Sequence, residues 1–267
     1  MEEKILTGGG LTDGGSTRNR TVKIGDIVHK TAAAQHPMVR EYLLYLEEKE
    51  MPGVPRFLGV DEQGRDMFSY LPGKTMGPDY PHDHPCLHSD QCVVDTARFM
   101  RKLHDVSVGF LPRAIEAGWK NPHFPNETPE IICHADAAIW NFVYVNDRIA
   151  GLFDFEQAHP GTRYWELAST VPMMSFPVPY NYNPNLHAGK AKRQVKLFFD
   201  EYGMQCPSNF MEIVIDRMLG FEDDILCDVA KRVKTGGKEA IAIMKSDDYG
   251  HYVRFAAHVK LHGHEWI

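Results

Sequence analysis

The sequence predicts an α+β chain in two parts: a small antiparallel-sheet lobe over residues 1–71 and a larger, mostly helical lobe over residues 72–267. Two observations lead there. Up to Leu71 the apolar residues fall in short strand-like runs separated by glycine turns, with one helical stretch among them. After Asp90 the apolar residues recur mainly at helical spacing, and a Pro-, His- and Asp-rich segment over 74–90 separates the two patterns.

The first lobe reads strand, loop, strand, strand, helix, strand, strand. Gly8, Gly9, Gly10, Gly14 and Gly15 crowd one short region, and Thr21–Lys30 forms two strands around Gly25-Asp26. His36-Pro37 opens a helix in which Met38, Val39, Tyr42, Leu43 and Leu46 share a face, and Met51-Pro52-Gly53 ends it. Strands are expected around Arg56–Val60 and Asp66–Leu71, with a turn at Asp61–Gly64 and Pro72-Gly73 closing the lobe.

In the second lobe, Cys92–His104 is a helix with Val93, Val94, Ala97, Phe99, Met100 and Leu103 apolar. Phe142–Val145 and Ile149–Phe153 form a hairpin turned by Asn146-Asp147. Helices are expected near Lys190–Tyr202, Asn209–Thr235 and Gly237–Met244.

Composition narrows the function. The chain has 267 residues, is 43% hydrophobic and carries a net charge of -7, so it has material for a substantial core and no basic excess to attract nucleic acid or an anionic membrane. No apolar run is long enough for a membrane helix, and MEEKILTGGG does not read as a signal peptide. Five scattered cysteines, an odd number with no CxxC, suit a reducing cytosol. The expected location is cytoplasmic.

The chemistry concentrates in CHADAAIWNFVYVNDRIAGLFDFEQ, Cys133–Gln157. His134-Ala135-Asp136 is followed after four residues by Asn141, and Asp154-Phe155 comes after the hairpin. Phosphoryl transfer needs a carboxylate to take up or orient the proton of the attacking hydroxyl, and oxygen ligands that hold magnesium against the nucleotide phosphates. The spacing matches H-x-D-x-x-x-x-N followed by D-F, and a hairpin returns Asn141 and Asp154 to one place. Turn-capping Asp and Asn explain each residue singly but not their joint order.

These residues, with GLFDFEQAHPGTRYWELA and SYLPG, resemble the aminoglycoside phosphotransferase and choline kinase group of small-molecule kinases, which share the protein-kinase-like fold. The resemblance implies Asp136 as catalytic base, Asn141 and Asp154 as magnesium ligands, and ATP or GTP as phosphate donor. It places Lys30 on the nucleotide phosphates, Glu41 as its ion-pair partner, and the main chain of Phe68–Leu71, Ser69 and Leu71 included, on the purine. Lys23 is the alternative lysine. His134 is expected to brace the loop. Thr12–Arg18 lies where a phosphate-covering loop would. The usual D-L-A is Glu166-Leu167-Ala168 here. Ala138 stands where protein kinases carry lysine, and no A-P-E segment follows, which favours a small hydroxyl acceptor over a peptide.

The acceptor class stays open among aminoglycosides, choline-like amines, sugars and nucleosides. Glu222-Asp223-Asp224 and Asp247-Asp248 are candidates for a cationic ligand, and Trp140, Tyr164, Trp165, Tyr180 and Tyr182 for stacking. His82, His84 and His88, like His258, His262 and His264, show no recognised zinc pattern. The rival reading is a non-catalytic nucleotide-binding regulatory module on the same fold.

Overall fold

The computed structural model describes residues 3–6, 21–31, 37–76, 84–121, 124, 127–176, 187–234 and 250–267. Strands β1 (Glu3–Leu6), β2 (Thr21–Ile24), β3 (Ile27–Thr31), β4 (Phe57–Val60) and β5 (Arg65–Ser69) form one antiparallel sheet in the order β1-β2-β3-β5-β4. Gly25 turns β2 into β3 with φ +61°, a conformation that costs glycine no Cβ clash. Helix α1 (Met38–Glu48) buries the five apolar residues of its expected face. It is fastened to the sheet by Arg40, whose Nη2 lies 2.8 Å from Oδ1 of the buried Asp66 in β5.

The remaining elements are mostly helical. They are α2 (Asp90–Ser107), α3 (Leu111–Glu116), β6 (Ile131–Cys133), β7 (Phe142–Val145), β8 (Arg148–Leu152), β9 (His159–Gly161), α4 (Arg163–Ser175), α5 (Ala188–Tyr202), α6 (Phe210–Lys234) and α7 (His251–His262). The caps follow sequence. Ser89 accepts from the Cys92 amide at the start of α2, Thr162 accepts from the Trp165 amide at the start of α4, and Gly203 closes α5 at φ +80°. One core cluster runs from Met38, Tyr42 and Leu46 of α1 through Val93, Ala97 and Met100 of α2 to Phe198, Phe210 and Phe255. No helix among the described residues is long and apolar enough to cross a membrane.

The β7–β8 hairpin turns on Asn146 and Asp147, both at positive φ, as two-residue hairpin turns prefer. It is stitched to the chain on both sides of the β4–β5 pair. Before β4, the Leu152 amide donates to the Gly53 carbonyl at 2.8 Å; after β5, Lys74 and Tyr144 exchange two main-chain bonds of 2.9 and 2.7 Å. The first contact leaves no space for a side chain. Gly53 has φ +75°, and a Cβ there would sit 2.5 Å from the Ala150 carbonyl oxygen and 3.1 Å from the Gly151 Cα. Gly53→Ala is therefore expected to destabilise the fold by at least about 2 kcal/mol, combining left-handed strain with a backbone clash. Chemical denaturation checks it, and an unchanged midpoint would show that the contact relaxes freely.

The glycine loop Thr12–Arg18, His36, His82, Tyr180, Tyr182, Gly237–Met244 and Asp247-Asp248 lie outside the described residues.

Candidate active site

The loop between β6 and β7 carries His134, Asp136 and Asn141, and its backbone is unusual. Ala135 adopts φ +70°, a left-handed conformation that costs a non-glycine residue about 1–2 kcal/mol. Two flanking residues hold that turn. The Asp136 amide donates to His134 Nδ1 at 3.2 Å, so Nε2 carries the proton and donates to the Phe153 carbonyl at 2.9 Å. Burial holds His134 down to about 4, so it is a neutral brace between the loop and the end of β8.

The hairpin then brings the carboxylates together. The Phe153 amide donates to the Asn141 carbonyl at 3.0 Å, which joins the two ends of the hairpin. Asn141 Nδ2 donates to Asp136 Oδ2 at 2.8 Å and to the Asp136 carbonyl at 2.9 Å. With its amide nitrogen spent on Asp136, Asn141 has its amide oxygen to offer a cation. Asp154 follows at φ +71°, a second left-handed residue. Burial, and then the nearby Asp154 charge, push the Asp136 carboxyl up to about 7.

Lys30 reaches this cluster from β3. Its Nζ lies 2.6 Å from Asp154 Oδ1 and 2.9 Å from Glu156 Oε2. Burial works to lower its pKa, but the two carboxylates outweigh it, and the net shift is upward. Lys30 is fully cationic.

One expectation needs correction. Glu41 does not partner Lys30. The helix turns Arg40 toward Asp66, and Glu41, about 100° further around the axis, forms an ion pair with Arg113 of α3. The acid that holds Lys30 with Asp154 is Glu156, two residues after Asp154. Ser69 pairs with Arg56: its amide donates to the Arg56 carbonyl at 2.9 Å and its hydroxyl accepts from the Arg56 amide at 2.9 Å. Ser69 is still a ladder residue of β5, opposite Ile27 of β3. Leu71 lies beyond the ladder and packs toward Gly151. Lys23 lies over the Tyr70 ring and pairs with Asp26, leaving Lys30 as the lysine at the carboxylates.

Sequence reasoning missed Glu156 as a partner of Lys30, and it missed two buried charges behind the loop. Glu166 in α4 accepts the Ala135 amide on Oε2 at 2.9 Å, and Arg217 in α6 donates to the Ala135 carbonyl at 2.7 Å. Trp165, a stacking candidate, is buried in a small cluster with Ile131, Cys133 and Ala135. His84 and His88 part company, since the buried His88 bonds the Met174 carbonyl.

The fold finds its counterpart in known proteins. Residues 109–198 match the model of a phosphotransferase enzyme family. The structure of APH(2")-IIIa with GDP and kanamycin superposes with a TM-score of 0.59 at 14% identity, covering 92% of this chain and 93% of that one. The chain has the aminoglycoside phosphotransferase fold. The gentamicin complex of APH(2")-IIa shares that fold with a TM-score of 0.56 at 12% identity, over 90% and 88% of the two chains. So does a choline/ethanolamine kinase family protein from Mesorhizobium loti, with a TM-score of 0.53 at 16% identity, over 95% and 92%. None of the curated proteins matches the sequence. Within the aminoglycoside phosphotransferase fold, the family match spans the whole loop and hairpin from His134 to Glu156.

Another buried group sets a pH dependence. His159, next to this hairpin in β9, is held down to about 3, chiefly by burial and then by the Arg217 charge. Its folded pKa lies below its unfolded value, so the unfolded chain takes up the proton first. The stability it contributes is complete above about pH 6.5 and is lost as the pH falls toward its folded pKa. Asp136, raised in the folded state, acts in the opposite sense over the upper part of that range. A variant comparison separates the two. The His159→Gln melting temperature should fall less steeply than wild type between about pH 6.5 and 4. Parallel curves would rule His159 out.

Proposed function

We propose that the chain is a magnesium-dependent small-molecule kinase that moves the γ-phosphoryl group of ATP or GTP to a hydroxyl of a small acceptor. One observation carries this reading: Asp136, Asn141, Asp154 and Lys30, drawn from three separate stretches of sequence, meet around one cluster of carboxylates. Asp136 accepts the proton of the attacking hydroxyl, and its raised pKa suits a base working near neutral pH. Lys30 steadies the phosphates.

The donor set fits magnesium. Asn141 and Asp154 offer hard oxygen ligands, and the acids around them already attract a cation, the Lys30 ammonium at 2.6 Å. Bound there, magnesium would neutralise charge on the transferring phosphate and draw the Asp136 pKa downward. Residues 1–71 form the nucleotide-side lobe and 72–267 the catalytic and acceptor lobe. The purine lies against the main chain around Leu71.

The acceptor belongs to the hydroxyl-bearing amines and sugars. APH(2")-IIa and APH(2")-IIIa are known in complexes with gentamicin and kanamycin, and the fold is shared with a choline/ethanolamine kinase family protein. The test is consumption of ATP and of GTP, with magnesium, against a panel of aminoglycosides, choline, ethanolamine and nucleosides. Acceptor-stimulated turnover supports the reading. Nucleotide binding without turnover on any acceptor or on water would return the chain to a regulatory binding module.

A further inference from the structure

The guanidinium of Arg217 is buried behind the β6–β7 loop, and its charge acts on the Asp136 carboxyl, favouring the ionised form. The residue is 1% exposed, on an α6 helix that packs against α4. Its Cζ lies 4.0 Å from the Phe221 ring centroid and 5.1 Å from that of Trp165. Placing a full charge there costs several kcal/mol on the order of magnitude usual for buried ions, so a specific partner has to repay it. Among its partners is a main-chain atom, the Ala135 carbonyl at 2.7 Å, and its charge also acts on the buried Glu166.

Ala135 is the residue that needs such help. It precedes Asp136, it stands at φ +70°, and β6 has ended at Cys133, so no strand neighbour satisfies its peptide groups. Its amide is taken by Glu166 of α4 and its carbonyl by Arg217 of α6. Two opposite charges from two helices grip one strained residue from both sides. Charged hydrogen bonds are roughly twice as strong as neutral ones, and a grip from both sides fixes the peptide planes that aim the Asp136 side chain.

We infer that Arg217 is a positioning residue for phosphoryl transfer, holding the Ala135 carbonyl so that Asp136 faces the acceptor hydroxyl. The inference rests on the kinase reading above. It assigns Arg217 no contact with nucleotide or acceptor. Displacing a catalytic group by about 1 Å costs on the order of 100-fold in rate, which sets the scale of the effect.

The experiment compares wild type with Arg217→Met and Arg217→Lys by two independent readouts on the full chain. The first is hydrolysis of MgATP and MgGTP, with water as acceptor. For Arg217→Met, kcat should fall about 100-fold while KM for the nucleotide stays within about twofold, and Arg217→Lys should recover part of the loss. The second is amide hydrogen exchange, which should quicken over residues 134–138 in Arg217→Met while the buried parts of α4 and α6 stay protected. Unchanged exchange over 134–138 overturns the inference, as does quickened exchange with undiminished kcat.

If wild type hydrolyses neither nucleotide and phosphorylates no acceptor, the kinase reading fails. The exchange data then decide separately whether Arg217 holds the loop. Should Arg217→Met fail to fold, Glu166→Gln/Arg217→Met removes both buried charges together, which is far less costly than leaving one alone. Full kcat in that folded double variant overturns the inference, and a lost kcat with unchanged nucleotide KM supports it.

Discussion

Asp136→Asn is expected to bind magnesium nucleotide as well as wild type and to lose turnover by about 10²–10⁴-fold, the usual contribution of a positioned general base. The substitution is nearly isosteric. Asn141 Nδ2 donates to Asp136 Oδ2 at 2.8 Å, and the amide oxygen of an asparagine accepts the same bond, so the loop keeps its shape. His134, Glu166 and Arg217 hold the main chain rather than the carboxylate, and they are untouched. What disappears is the group able to take a proton. Steady-state kinetics together with nucleotide-dependent thermal stabilisation read the two parts separately. A loss confined to KM, or retained turnover, would remove Asp136 from the base role.

The second large effect is on binding. In Asp154→Ala, stabilisation by nucleotide should no longer depend on magnesium. For wild type, nucleotide at 100 times Kd adds about 2.7 kcal/mol, a shift of several degrees for a chain this long. The variant removes one oxygen-ligand residue and also frees Lys30 from its 2.6 Å contact, leaving Glu156 to hold the ammonium. Residual nucleotide binding through Lys30 should therefore survive without magnesium dependence. A magnesium-dependent shift as large as that of wild type would place the metal elsewhere.

The parts of the site that could be read from sequence are those set by local spacing. Asp136 and Asn141 sit on one loop, and the Asn146-Asp147 turn between two apolar runs announces a hairpin that returns Asp154 to Asn141. Lys30 could be placed because β2, β3 and the turn at Gly25 have strong local signals. The direction of a helical side chain could not be read in the same way. Which of Arg40 and Glu41 faces the sheet depends on the buried Asp66, 26 residues after Arg40, and that contact turns Glu41 toward Arg113. Arg217 carries no local signal at all. It is 82 residues from Ala135, and only the packing of α4 and α6 brings it to the loop.

The two backbone stitches on the β7–β8 hairpin have a mechanical consequence. The chain is tied to the hairpin just before β4, at Gly53, and just after β5, at Lys74. The hairpin ends bear Asn141 and Asp154. A strut anchored at both sides of the β4–β5 pair cannot slide independently of it. Any rocking of the sheet is delivered to Asn141 and Asp154 as a rigid lever would deliver it, with no side chain at Gly53 or Gly151 to absorb the stroke. Lys30 on β3 and Asp154 at the hairpin end are thereby geared to the same movement.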